Sequence, residues 1–417
     1  MKSLEDLQSD LAFTRASTGE AKTVTFLPEP DPADRRYLII SADDHIVEPP
    51  HTFEGRMSAK FGDRIPHVVE RDGHEIWLYD GREIPNVGFN AVVGRPVDEY
   101  SFEPARFSEM RRGAWDIDAR IDDMNLNGVY ASVNFPSFLP GFAGQRLQLG
   151  VDPELARAAV EAWNDWHIDE WAGRHPGRMI PCQIPWLADP NDAADMIRRN
   201  AERGFKAVTF SEAPDKLGLP SIHSGYWEPF IAACAETGTV INLHIGSSGQ
   251  SPATCDDAPP DVVGVLFFAY AMHAAVDWLY SMYPVKYPDL KICLSEGGIG
   301  WVAGLMDRLD HMLSYHSMYG TWTSDMTPAE VLKRNFWFCA VEDPSAFVQL
   351  NRIGVENVLL ESDYPHCDST WPNTQNVVHR EIGHLPAEVK DRITWRNAAE
   401  LYDIHVPQSI IDDPSSF

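Results

Sequence analysis

The chain is short of positive charge. Its 417 residues carry 34 Lys+Arg against 62 Asp+Glu, a net charge of −28. No basic run stands anywhere in it, so a nucleic-acid duplex or an anionic membrane is repelled at long range. No CxxC pair occurs among the six cysteines, Cys182, Cys234, Cys255, Cys293, Cys339 and Cys367, which removes zinc-finger and thioredoxin readings. Most of these cysteines sit in apolar runs, as reduced core thiols do. No uninterrupted apolar stretch reaches the roughly 18 residues of a membrane span. The first thirty residues lack an apolar h-region, so no signal peptide is expected and cytoplasm is the expected compartment. Nor does a glycine-rich phosphate loop follow the first strand-like run, which weighs against a doubly wound nucleotide-binding sheet.

What is present fits a large globular enzyme. Apolar residues are 44% and charged residues 23%, both near the globular average, which excludes wholesale disorder. At roughly 150 residues per domain the length suggests two or three domains, unless one barrel uses most of it. Residues 1–35 are polar and read as an irregular N-terminal arm. Eight short apolar runs follow: Tyr37–Ser41, Val129–Phe135, Met179–Pro185, Lys206–Phe210, Val240–Ile245, Lys291–Ser295, Asn335–Ala340 and Val358–Ser362. Runs of this kind that do not alternate suit strands buried on both faces. Helical stretches lie between them: Asp152–Arg174, Pro190–Gly204, Trp227–Gly238, Val262–Tyr283, Gly300–Ser317 and Pro328–Arg334. The expected class is α/β, a (β/α)8 TIM-like barrel over 36–405 with a C-terminal tail at 406–417. About 80 residues separate the first run from the second. This insertion, at about 46–127, holds DG turns at Asp72-Gly73 and Asp80-Gly81 between β-type runs, as hairpins do. It is expected to form a lid over the C-terminal face.

Barrel chemistry collects where strands end. The first run leads into Asp43-Asp44-His45, where alternation puts Asp43 and His45 on one side and Asp44 on the other. The fifth ends in His244, the sixth leads into Glu296-Gly297-Gly298, and the eighth into Asp363, with His366 three residues on. A lone histidine there is ordinarily a core or rim residue, and a lone aspartate ordinarily caps the next helix. The joint pattern is what carries information: imidazoles and carboxylates from four strands meeting at one mouth are ligands for a divalent metal.

That pattern resembles the amidohydrolase superfamily, and within it the branch of nonoxidative decarboxylases and related C–C or C–O cleaving enzymes. The resemblance runs from about Ile39 to Asp403. It is carried by Ser41-Ala42-Asp43-Asp44-His45 with Glu48-Pro49-Pro50, by Leu243-His244-Ile245-Gly246, by Ser295-Glu296-Gly297-Gly298-Ile299-Gly300-Trp301, and by Glu361-Ser362-Asp363-Tyr364-Pro365-His366 running on through Asp368-Ser369-Thr370-Trp371-Pro372. It implies that Asp43 and His45 are first-strand metal ligands, where many relatives have HxH or ExH. His244 is then the fifth-strand ligand, and Asp363 binds metal and takes a proton from metal-activated water. The chain departs at strand six, where decarboxylating relatives carry a histidine and this one has Glu296. The fourth strand ends in Ser211-Glu212, without the bridging lysine of two-zinc hydrolases, so Glu212 is either a substitute ligand or a rim carboxylate.

Asp43, Glu296 and Asp363 set three carboxylates against two imidazoles. Like charges share a dry pocket only when cations or protons compensate them, so one or two divalent ions per chain are expected, of zinc, iron or manganese. Asp363, Glu296 and His366 are the candidate catalytic residues. Trp301, Tyr364 and Trp371, with Trp115, are candidate pocket walls. His273, His311 and His316 read as surface or core histidines. The resemblance implies a hydrolase or nonoxidative decarboxylase acting on a small carboxylated, aromatic or acyl substrate, with no nucleic-acid or membrane partner and homo-oligomerisation left open. Two alternatives stand beside it. A non-haem di-iron monooxygenase of a bulky acyl thioester (acyl-CoA) would use the same fold branch. A non-catalytic binding protein would be expected to lose ligands, whereas all four positions here are metal-competent.

Overall fold

The computed structural model describes residues 24–417 apart from 72, 104, 138, 251 and 256. Most of the expected arm 1–35, and Asp72 of the first expected turn, therefore lie outside the described residues. In chain order the strands are β1 (Ile40–His45), then β2 (His67–Arg71), β3 (His74–Tyr79) and β4 (Arg82–Pro85). β5 (Ala131–Phe135), β6 (Met179–Ile180), β7 (Cys182–Gln183) and β8 (Ala207–Ser211) follow. β9 (Val240–His244), β10 (Ile292–Ser295), β11 (Phe336–Ala340) and β12 (Val358–Leu360) complete the set.

Among the described residues, nine of these form one parallel sheet in the order β6-β5-β1-β12-β11-β10-β9-β8-β7. Its two ends, β6 and β7, are separated in the chain only by Pro181. They are the halves of one stave. Proline has no N–H to give a ladder, so the stave breaks there. β6 pairs with β5 and β7 with β8, while the Pro181 carbonyl accepts from Lys206 N at 3.0 Å and Ala207 N at 3.2 Å. The sheet thus closes into eight staves, the expected α/β barrel, with each expected apolar run supplying one. The N–H of Cys182, just past the break, donates to His167 Nε2 at 3.3 Å. His167 reaches it from a single wide turn, His167–Trp171, that ends the helix Pro153–Trp166. The expected helix Asp152–Arg174 is regular only as far as that turn.

The helices begin where local chemistry supplies caps. Asp152 and Asp189 accept from the first turns of Pro153–Trp166 and Pro190–Arg203, each with proline at the first helical position. Thr327 and Glu330 form a capping box for Pro328–Asn335. The expected helix Val262–Tyr283 is instead two, Pro260–Leu266 and Ala269–Tyr280, meeting at a 49° bend. No single described helix is long and apolar enough to cross a membrane.

β2, β3 and β4 make a separate antiparallel sheet within the insertion. Asp80 and Gly81, both at positive φ, join β3 to β4 as a tight hairpin turn. Tyr79 donates to the Leu147 carbonyl at 2.8 Å, in the loop after the second stave. Val92 N donates to the Pro365 carbonyl at 3.0 Å, in the loop after the eighth. Both loops leave the C-terminal ends of staves, so the insertion lies on the mouth side. The helix Ile117–Asn127, at the end of the expected 46–127 range, is capped by Asp116 and closed by Gly128 at φ 72°, and it links the first stave to the second.

That helix delivers Arg120 into the interior, fully buried. Its guanidinium donates to the carbonyls of Gly113 and His45, lies 4.2 Å from the Tyr364 ring centroid and faces the buried Asp44 carboxylate. Removing the guanidinium leaves those two buried carbonyls without their donor. Arg120→Met is therefore expected to lower stability by about 2–5 kcal/mol, read as a reduced urea midpoint. A midpoint equal to that of the unaltered protein would show that these two hydrogen bonds hold nothing together.

Candidate metal centre

The register between β1 and β5 shifts between Ser41 and Asp44. Past this irregularity Asp43 and His45 enter one cluster. Asp44 faces away and accepts from the hydroxyls of Ser41 and Ser362 and from Tyr364 N. His244 enters from the end of β9, Glu296 from the residue after β10, and Asp363 and His366 from the loop after β12. His45 Nε2 lies 3.3 Å from Asp43 Oδ1 and 3.4 Å from Asp363 Oδ1. His244 Nε2 lies 3.5 Å from Asp43 Oδ2, 2.9 Å from Glu296 Oε2 and 3.1 Å from His45 Nε2. His366 Nδ1 lies 3.2 Å from Asp363 Oδ1. Asp43, His45, His244 and Asp363 have no side-chain exposure, whereas Glu296 keeps 13% and His366 8%, at the mouth side of the cluster.

These approaches are close, but most are not hydrogen bonds. Both oxygens of Asp43, both of Asp363, and His366 Nε2 are buried without a hydrogen-bond partner. His244 shows why. Its Nδ1 lies 2.7 Å from the Ile245 carbonyl, which fixes a proton there and turns Nε2 to the carboxylates. Lone pairs facing lone pairs in a dry site are held by a cation or by added protons. Two ligands about 2.1 Å from one ion at a tetrahedral angle are about 3.4 Å apart, close to the spacings among Asp43, His45 and His244. The donor set fits a divalent ion. His45, Glu296, Asp363 and His366 form one metal-capable group and Asp43, His45 and His244 another.

The electrostatics agree. Burial, then the neighbouring Glu361 and Glu296 carboxylates, push Asp43 well above its ordinary range. Burial, Glu296 and Asp43 do the same to Asp363. Burial pushes Glu296 up as well, but the adjacent His244 outweighs it and leaves that carboxyl below its usual value. Burial and the neighbouring imidazoles hold His45 well below the usual histidine value. Burial takes His366 down to about 4, which leaves its imidazole neutral at pH 7. Glu296 and Asp363 sit at φ 55° and 49°, a left-handed conformation uncommon for residues with a side chain. Neighbours hold both: Glu361 Oε2 accepts from Glu296 N at 3.1 Å, and Asp363 N donates to the Asp43 carbonyl at 3.0 Å.

All five expected ligands converge, together with His366. Glu212 does not join them; its carboxylate accepts from Ser247 and Ser248. His273 and His311 are exposed, and His316 stacks on Tyr319. Trp301 stands one turn beyond Glu296, its indole N–H on the Gly297 carbonyl. Tyr364 and Trp371 spend their polar groups elsewhere. Both donate to Asp123, the first to its carboxylate and the second to its carbonyl, and Arg111 covers the Trp371 ring at 4.4 Å. Trp371 also lines a cavity of about 490 Å³ between the loops after the seventh and eighth staves. Trp115 packs on Phe107 inside the insertion. Phe142 carries no sequence motif that marks it for this cluster. It is half-buried, with its ring 4.3 Å from His244, 5.0 Å from His45 and 5.8 Å from His366.

A closed (β/α)8 barrel with carboxylates and imidazoles gathered at the C-terminal ends of its staves is the architecture of a metal-dependent enzyme. The chain belongs to the amidohydrolase family, whose model matches residues 65–404; the match begins after β1, so Asp43 and His45 lie outside it. Three solved structures resemble it. An amidohydrolase from Mycobacterium avium subsp. paratuberculosis K-10 is 21% identical with TM-score 0.65, over 88% of this chain and 99% of that one. The 5-carboxyvanillate decarboxylase LigW from Sphingomonas paucimobilis is 19% identical with TM-score 0.61, over 88% and 100%. A dihydroxybenzoic acid decarboxylase from Polaromonas sp. JS666, with bound manganese and the inhibitor 2-nitroresorcinol, is 17% identical with TM-score 0.62, over 90% and 99%. No curated protein matches the chain.

A cation must displace protons from carboxyls whose affinity for them is raised. Loading the metal-free protein with Mn(II) is therefore expected to release protons, and the ion's affinity to fall as pH drops from 8 to 6. Titration in weak buffer with a pH indicator reads the first and equilibrium dialysis the second. An affinity flat across that range would mean that Asp43 and Asp363 are already ionised without the ion.

Proposed function

We propose that the protein is a metal-dependent hydrolase or nonoxidative decarboxylase acting on a small carboxylated aromatic or acyl substrate. The observation that carries this reading is the buried donor set at the stave ends, Asp43, His45, His244 and Asp363, whose carboxylate oxygens lack protein hydrogen-bond donors. The decarboxylases that share the fold, one of them with manganese, support the substrate class and the metal. Asp43, His45, His244 and Asp363 would hold the ion, which supplies polarisation of a substrate oxygen and acidification of water.

The chain's own residues supply the proton traffic and the binding. In hydrolysis, Asp363 Oδ1 receives a proton from water, and His366 Nδ1, 3.2 Å away, relays it to the leaving group. In decarboxylation the same pair holds a proton and delivers it to the ring carbon from which CO2 departs. Phe142 offers a ring face beside the imidazoles for a planar substrate. The insertion reaches the eighth-stave loop through Val92 and keeps water from the mouth. The carboxylate-rich set also favours a second reading, oxygenation of an acyl thioester at a di-iron pair, because carboxylates suit iron.

Protein loaded with Mn(II), Zn(II) or Fe(II) is expected to turn over one of three panels. Hydroxybenzoates would release CO2, amides and esters would yield acid, and acyl thioesters with Fe(II) would consume oxygen. Asp363→Asn is expected to cut kcat by at least about a hundredfold, because it removes the proton acceptor. A folded protein that retains no divalent ion after loading overturns the proposal.

A further inference from the structure

We propose that the helices Pro260–Leu266 and Ala269–Tyr280 form a wall of the mouth that holds an uncharged apolar tail of the substrate. The substrate is then an amphiphilic acid, with its acid group at the cluster and its tail along Val265 and Phe268. This rests on the reading of the centre above for the acid group, and adds to it the tail and the residues that select it.

The two helices follow the fifth stave, and the bend between them is packed against two turns of the cluster. A Cβ placed on Gly246, two residues after His244, would lie 3.0 Å from the Phe267 ring. A Cβ placed on Gly297, beside Glu296, would lie 2.3 Å from that of Ala271. Any side chain at Gly297 would collide there, so the second helix comes as close to the Glu296 turn as the backbone permits. From the other side, Phe142 brings its ring to 4.3 Å from His244. Apolar surface therefore runs from the imidazoles outward along the bend.

A surface helix ordinarily keeps its apolar residues to the inward stripe and turns charge outward. Here both sides are apolar. Val263, Ala271, Ala274 and Ala275 are buried, yet Val265 is 72% and Phe268 43% exposed. Charged residues make up 23% of the chain, but none falls among the fifteen positions from Val262 to Val276. Single exposed apolar side chains are ordinary, whereas an apolar, charge-free run at the rim of a site marks a surface that something apolar covers. The same run defines the occupant. A tail bearing phosphates would meet no Lys or Arg along this wall, in a chain of net charge −28. A hydrocarbon gains by covering Val265 and Phe268. A second copy of the chain is the competing occupant, but it would set its own net charge of −28 against this one. The continuity of the wall with the cluster, through Phe267 and Gly246, favours one molecule that reaches both.

The test is a chain-length series. Straight-chain carboxylates from acetate to decanoate, below their micelle concentrations, are titrated calorimetrically into full-length protein loaded with Mn(II). Octanoate is expected to bind at least about tenfold more tightly than butanoate, since each buried methylene tightens binding by up to roughly fourfold. In Val265→Asp and Phe268→Ser, shown to be folded by circular dichroism, that ratio is expected to fall toward one. Met318→Asp alters a side chain that is 75% exposed just beyond the helix Val302–Tyr315, and is expected to keep the ratio. A Kd independent of chain length in the unaltered protein overturns the tail, as does a ratio that both wall variants retain. In either case butanoate binding leaves the reading of the centre standing. Sedimentation of the same samples tests the competing occupant. A dimer that Val265→Asp dissociates, with no chain-length gain in the unaltered protein, gives the wall to a second copy and overturns the proposal. If no acid of any length binds, the reading of the centre fails as well. Should neither wall variant fold, the chain-length series of the unaltered protein decides.

Discussion

Acceptors without donors organise this molecule. Asp43 and Asp363 bury four oxygens without a hydrogen-bond donor, in a cluster with the imidazoles of His45, His244 and His366. Such an arrangement is unfavourable in isolation and persists only because the rest of the barrel holds it. The two strained backbones at Glu296 and Asp363 are each fastened by a hydrogen bond to a residue of the same site. Behind the cluster, the buried Arg120 ties the His45 carbonyl to the first helix. Left-handed backbone and buried charge meet in this cluster.

Much of this could be read from the amino-acid order. Eight short apolar runs announce eight staves because a stave buried on both faces has no reason to alternate. The converging ligands are legible because barrel topology brings stave ends together however far apart they lie in sequence. What could not be read depends on single backbone events. Nothing in a run of apolar letters says that Pro181 splits a stave, or that His167 swings in from a wide turn to cap Cys182. The break at Leu266 to Ala269 is hidden because both halves keep the same apolar character. The partners that hold Tyr364 and Trp371, Asp123 and Arg111, come from a distant part of the chain. Phe142 sits in a loop with no motif around it. Glu361 was within reach, since alternation from Asp363 puts it on the same inward side.

The insertion and the centre depend on each other. A hairpin sheet added after the first stave has few partners of its own, and its anchors are the loops after the second and eighth staves, through Tyr79 and Val92. The eighth-stave loop also carries His366, so cover and chemistry share one support. Burial and then the neighbouring Cys367 thiol raise the Tyr100 phenol, which puts a residue of the insertion beside the loop that follows Asp363.

Closure of the ring joins the beginning of the chain to its end. Ser362 N donates to the Ser41 hydroxyl across 321 residues of sequence, and Asp363 and His366 come just after. A ribosome that has made seven staves has made Asp43, His45, His244 and Glu296, but not Asp363 and His366, which complete the cluster. The cluster that could hold an ion is therefore complete only once the long-range pairing of the first and eighth staves has formed. A nascent chain stalled before that point has no finished centre in which to trap a metal.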